Sequence, residues 1–229
     1  MDKDKKAVSL VSSTVPAHVT EAQGLGNENV TAADLQTPRV KLLQQMNAEV
    51  DKSNGAYIEG AEPGLLLNTV TNELYGKEIY VLNIHFNDEF VIWRKRDKGG
   101  GLVGTCASAS EADELIAQQS SSADDFKVIQ THSHLLMRKD ADTGELINTP
   151  FKMDFSSSKL RVSREWNTQI AQLGGDRFSS LWKLSSVSTQ NRNNQKFHNL
   201  SVESQGWVVD EDYEKAKAVY KAVKQPAAK

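Results

Sequence analysis

Residues 77–96 read KEIYVLNIHFNDEFVIWRKR. The first ten alternate: Ile79, Val81, Asn83 and His85 share one face of an extended chain, and Tyr80, Leu82, Ile84 and Phe86 share the other. The second set is the more apolar and the better candidate for the core. Asn87-Asp88-Glu89 breaks the apolar run and predicts a short hairpin turn, after which Phe90 to Arg96 forms a second, antiparallel strand. That strand opens as a buried one and ends in three consecutive cations, Arg94, Lys95 and Arg96, before Lys98 and the loop Gly99-Gly100-Gly101. Alternation places Trp93 with Lys95 on one face and Arg94 with Arg96 on the other.

Working outward, Leu65 to Val70 follows the turn signal Ala61-Glu62-Pro63-Gly64 and reads as a strand. Glu111 to Gln119 predicts a short helix with Ser110 at its N-cap. Phe126 to Arg138 and Leu146 to Phe155 predict a hairpin around the polar turn 140–145, and Leu181 to Val187 with Phe197 to Glu203 predict another. Between them Val162, Trp166, Ile170 and Leu173 recur at helical spacing, ended by Gly174-Gly175. Asp210 to Val223 predicts a last helix, acidic at its start and rich in lysine towards its end, as the helix dipole favours.

These elements give an α+β domain of mainly antiparallel β structure, or a small barrel, with an inserted helix and a C-terminal helix. Residues 1–33 lack any sustained period and predict a flexible N-terminal arm; residues 34–224 form the single domain, and 225–229 a short tail. The single cysteine, Cys106, excludes an intramolecular disulfide and fits a reducing cytoplasm. No apolar run approaches the roughly 20 residues of a membrane span, so no membrane partner is expected.

The chain has 229 residues and a net charge of -3, so any anion-binding surface must come from local segregation of charge. Two segments supply it. The first is Trp93, Arg94, Lys95, Arg96 and Lys98. The second runs from Lys152 to Lys196, with eight cations against three acids, and includes Lys159, Arg161 and Arg164 at the start of a helix. Trp182 and Lys183 lie in the same segment. Basic surfaces with interspersed aromatics hold single-stranded nucleic acid by stacking and phosphate contact, with little sequence readout. The alternative for each is a solvated strand end or helix face around packed tryptophans.

Enzyme signals are thin. His132-Ser133-His134 puts two imidazoles on one face of a strand, but a metal site needs a third ligand, and none stands at recognisable spacing. The loop from Gly99 lacks the Gly-Lys-Ser/Thr of a phosphate-binding loop, and no GxSxG or HExxH motif occurs. No catalytic residue, metal or cofactor is therefore assigned.

The blocks TPRVKLLQ, GAYIEGAEPGLLLNTVTNELYG, FVIWRKRDKGGGLVG, KLRVSREWN and WKLSSV resemble a group of uncharacterised tailed-phage proteins, over roughly residues 35–224. Some of that group are labelled single-stranded DNA-binding or recombination-associated. The resemblance implies an OB-like barrel acting in phage DNA replication or recombination in the bacterial host cytoplasm. Single-stranded DNA would be the ligand, replication or recombination proteins further partners, and a homo-oligomer is compatible with it. One departure is the C-terminus, QPAAK, which lacks the acidic tail by which many such proteins recruit partners. The rival expectation is a protein-interaction or assembly module that docks on a host or phage enzyme. It would show an apolar exposed patch, with the cations scattered over unrelated faces.

Overall fold

The computed structural model describes residues 25–30, 34, 36–119 and 121–224. The chain divides into two units, Met1–Gln36 and Thr37–Lys229. The expected arm at 1–33 falls largely outside the described residues, and the tail at 225–229 wholly so. Everything below concerns the second unit.

The stretch at 78–94 is not a hairpin. It is one strand of 17 residues, β3 (Glu78–Arg94), and no turn interrupts it at Asn87-Asp88-Glu89. Those three residues pair with Ser133, His132 and Thr131 of β5 (Phe126–Lys139), a partner long enough to hold β3 along nearly its whole length. The strand absorbs its length through a bulge between Asn83 and His85. Its two edges differ. One pairs continuously with β5. The other pairs first with β7 (Ser180–Gln190), over Glu78–Leu82, and then with β4 (Leu102–Cys106), over Phe90–Trp93. Residues 83–89 are left without a ladder on that second edge.

β6 (Phe151–Ser156) and β8 (Lys196–Trp207) complete a six-stranded antiparallel sheet in the order β6-β5-β3-β7-β8, with β4 beside β3. A two-stranded sheet, β1 (Val40–Leu42) with β2 (Leu66–Asn68), lies apart from it in the pairing. The α+β, mainly antiparallel class is as the sequence predicts. The OB-like barrel is not seen, because no ladder joins the outer strands β6 and β8. The chain from Pro38 to Gln44 reaches both of them without adding a ladder that would close the sheet. The Lys152 N–H donates to the Pro38 carbonyl at 2.8 Å, and the Gln44 carboxamide exchanges two 2.9 Å hydrogen bonds with the backbone of His198.

Both faces of β3 are buried in its first half, because a core layer packs against each. On one face, here the inner face, Ile79 and Val81 pack with Trp182, Leu184, Phe151, Met153 and Phe155. This core is closed by β1, β2 and helix α2 (Lys159–Leu173), which inserts Val162 and the fully buried Trp166. The inner face continues past the bulge, where Phe90, Ile92 and Phe126 meet Ala112 and Ile116 of helix α1 (Ala109–Ala117). Helix α1 starts two residues earlier than expected, capped by Ser108, whose hydroxyl accepts from the Glu111 N–H. On the outer face Leu82, Ile84, Leu135 and Met137 are covered by Ala216, Tyr213, Val219 and Tyr220 of helix α3 (Asp210–Lys224). That helix covers only the first half. Among the described residues no helix packs on the outer face beyond His85.

Gly64 sits where the loop before β2 meets β8. An added Cβ would lie 2.7 Å from the His198 ring and 3.1 Å from Ser186 Oγ, on a backbone at φ +90°. Gly64→Ala is therefore expected to lower stability by about 1–3 kcal/mol. The check is a lower urea midpoint with an unchanged slope.

Candidate nucleic-acid interface

Alternation carries Glu89, Val91 and Trp93 of β3 onto the outer face, with Ile129, Thr131 and Lys127 of β5 opposite them. Trp93 pairs directly with Lys127, and its side chain is 42% exposed. Leu102 and Thr105 of β4 border this face on one side, and Asp154 and Ser156 of β6 on the other. Together with Arg39 these residues, Lys127 excepted, line a concavity of about 430 Å³; Lys127 stands outside that lining, across the ladder from Trp93. Arg39 is ion-paired with Asp154, which leaves Lys127 as a cation with no acid partner among the described residues.

Further along the same face stand His85 and Lys152, both opposite Leu135. Burial holds the His85 pKa below its ordinary value, and the like charges of Lys224, Arg177 and Lys152 add to that, against a hydrogen bond that the ring donates to Asn87.

The other cations expected at the site are dispersed. Lys95 and Arg96 are exposed at the tip beyond β3, where Lys98 pairs with Asp125 at 3.3 Å. Arg94 turns to the inner face, over the Phe126 ring at 5.1 Å, and donates to Ser121 Oγ. Lys159, Arg161 and Arg164 belong to α2, which packs on the inner face. Arg161 pairs with Glu165 at 3.6 Å, and Arg164 donates to Gln130. Lys159 is half-buried, and desolvation lowers its pKa against the pull of Asp154. Lys183 pairs with Glu78 at 2.8 Å, at the far end of β3. Trp182 is fully buried, edge-on to Trp166 at 5.9 Å, so it offers no ring to a base. The physical reason lies in β7: Trp182 and Leu184 form its more apolar set and turn inward, while Lys183 takes the opposite face.

The two histidines of His132-Ser133-His134 do share a face, as expected, and converge on Ser163 of α2. His132 Nδ1 lies 2.8 Å and His134 Nε2 2.7 Å from Ser163 Oγ. The amide nitrogen of Asn83 lies 2.9 Å from His134 Nδ1, and an Asp88 oxygen lies 3.7 Å from His132 Nε2. Only one proton order satisfies all four contacts. Asn83 donates to His134, His134 Nε2–H to Ser163, Ser163 Oγ–H to His132, and His132 Nε2–H faces the Asp88 carboxylate. The set has the components of a Ser-His-Asp triad, but Ser163 is fully buried on the face of α2 that packs against the sheet, so its oxygen is closed to a substrate in this structure. Its geometry ties α2 to the sheet. His134 stacks on Trp166 at 4.7 Å, and burial, with lesser contributions from Arg177 and His132, takes its pKa down to about 3.

Among the described residues no group of three or more His, Cys, Asp or Glu side chains could hold a metal ion, and no helix is long and apolar enough to cross a membrane. Cys106 is buried beside its own strand partner, and burial raises its thiol pKa.

Sequence reasoning missed Lys127 as a partner of Trp93. The signal was the register of β5 against β3, which the misplaced hairpin turn concealed. It also missed the cations that gather around His85, because Lys224 fell just beyond the expected helix from Asp210 to Val223.

No curated protein and no solved structure matches the chain. The family model of the Pam3 phage gp34-like protein matches residues 4–229. With the match spanning almost the full sequence, the chain belongs to the Pam3 phage gp34-like protein family.

Proposed function

We propose that the open outer face binds single-stranded nucleic acid in a sequence-independent way, in phage DNA replication or recombination within the bacterial host. The observation that carries this reading is Trp93, half-exposed on a helix-free sheet face with Lys127 directly across the ladder. One base stacks on the indole while Lys127 and Lys95 meet the adjoining phosphates, and Lys152 extends the cationic track towards His85. The α2 cations, Trp182 and Lys183 take no part.

The test is an anisotropy titration of labelled oligo(dT) at several salt concentrations. Trp93→Ala is expected to weaken binding about tenfold, within the roughly 1–3 kcal/mol of a stacked base. Lys127→Ala should reduce the slope of log K against log salt by about one. Absence of binding at low salt, or equal affinity in Trp93→Ala, would remove the reading.

A second reading is a docking surface for a phage or host enzyme. It is favoured by the apolar share of the same patch, Val91, Leu102 and Ile129 around Trp93, and by the placement of Arg161 and Arg164 on the opposite side of the sheet. It takes precedence if oligonucleotides of either form fail to bind.

A further inference from the structure

Where β3 changes partner from β7 to β4, the gap in its edge opens into a cleft of about 350 Å³. Arg177 enters it from the loop after α2, and Lys217, Lys221 and Lys224 line it from the last turns of α3, against a single acid, Asp176. We propose that this cleft is a phosphate-binding site, fitted to the phosphate group of a nucleoside phosphate or of a nucleic-acid 5′ end.

Three observations converge on phosphate. The first is Arg177. It is half-buried, and no carboxylate pairs with it among the described residues. One guanidinium nitrogen donates to Asn167 at 2.9 Å, and the group lies over the Phe86 ring at 5.3 Å. The fork is therefore held in place with donors to spare, the arrangement that suits bidentate recognition of a phosphate. Burial lowers its pKa, although a guanidinium stays charged at neutral pH.

The second is the lysine spacing. Positions 217, 221 and 224 recur at helical intervals and fall on one side of α3. The helix dipole accounts for lysines in a last turn, but not for three of them sharing a side with an unpaired arginine. Lys217 is engaged by Glu214 at 3.3 Å and by the Tyr213 ring. Lys221 and Lys224 have no partner among the described residues. Asp176 is itself engaged, accepting from the Tyr213 hydroxyl at 2.6 Å.

The third is the wall. Ile84, Phe178 and Tyr220 supply an apolar side, the two rings 5.7 Å apart, so the cleft offers a surface to a nucleoside as well as charge to its phosphates. His85 lines the same cleft, and its pKa is lowered first by burial and then by the charges of Lys224 and Arg177.

Calorimetry on the full chain at low salt tests the site. The probes are pyrophosphate, a nucleoside triphosphate, and two oligonucleotides that differ only in carrying a 5′-phosphate or a 5′-hydroxyl. Pyrophosphate and the triphosphate are expected to bind, and Lys221→Gln/Lys224→Gln to weaken both at least tenfold. These lysines are exposed, so the variant tests charge with little threat to the fold; Arg177→Gln is the second variant, expected to act in the same direction. Preference for the 5′-phosphorylated oligonucleotide would identify a strand end as the source of the phosphate, and equal binding of the two oligonucleotides would identify the free nucleotide. Trp93→Ala should leave pyrophosphate binding unchanged, which keeps this site distinct from the stacking face. No heat with any probe, undiminished binding in the double-lysine variant, or loss of pyrophosphate binding in Trp93→Ala would overturn the proposal.

Discussion

Acidification from pH 7 to pH 4.5 is expected to destabilise the protein steeply, with His134 as the largest single cause. Its ring is neutral in the folded state, with a pKa of about 3, against an ordinary value of 6.5 that the unfolded chain recovers. The unfolded state therefore takes up protons first. The stability tied to the neutral ring is complete above pH 6.5 and is lost as pH falls towards 3. At about 1.4 kcal/mol per pKa unit, His134 alone removes about 2 kcal/mol by pH 5 and about 4 kcal/mol by pH 3. That is a large part of the roughly 5–15 kcal/mol that holds a typical domain together. His132 and His85 are depressed as well and act with the same sign.

The geometry explains why His134 resists charge. A proton added at Nδ1 would point at the Asn83 amide nitrogen, itself a donor. Rotating that amide would present Oδ1, which has no partner now, but the charge would still lie among Trp166, Phe155 and Phe86, with Arg177 and His132 opposing it. Urea midpoints measured between pH 7 and pH 4.5 check this. The wild type should fall steadily, and His134→Leu, whatever its stability at pH 7, should show a markedly flatter profile. A flat wild-type profile would refute the assignment.

The second large effect concerns the docking of α3. Asp212, in the first turn of that helix, is buried and ion-paired with Lys139 of β5, whose side chain is only 22% exposed. Asp212→Ala leaves an ammonium group short of water and of a partner, and it removes an acid from the positive end of a helix. A loss of about 3 kcal/mol is expected, towards the low end for a broken buried pair because Lys139 keeps some solvent. Replacing both partners, with Lys139→Met and Asp212→Leu, should recover most of that loss, since the cost comes from the stranded charge more than from the missing attraction. Denaturation of the two single variants and the double variant reads the cycle directly. Equal stability for Asp212→Ala and wild type would show the pair to be incidental.

Much of this fold is legible in the sequence because local patterns and tertiary burial agree there. Val162, Trp166 and Ile170 mark the packed side of α2 by spacing alone, the turn at 140–145 separates β5 from β6, and the charge gradient of α3 marks its ends. The errors arise where a local signal competes with a distant partner. Asn87, Asp88 and Glu89 look like a turn, but they extend as strand because β5 continues alongside and Asp88 finds His132. β4 is hidden behind three glycines and too short to show a period. The two tryptophans were separable in principle. Phe90, Ile92 and Arg94 are more apolar as a set than Val91, Trp93 and Lys95, so Trp93 turns outward, whereas Trp182 shares its side with Leu184 and turns inward. The cleft beside α3 was not legible, because Arg177 and Lys221 lie far apart in sequence and meet only through the gap in the edge of β3.

That divided edge has a consequence for how the molecule can change. β4 and α1 connect to the rest of the sheet through β3 and β5 alone, so the outer end behaves as a cassette mounted on a two-strand spine. Lengthening the glycine loop, or recutting the surface around it, would leave the register of β7 and β8 untouched. Changes at that end therefore act locally, and the pairing of β7 with β8 is insulated from them.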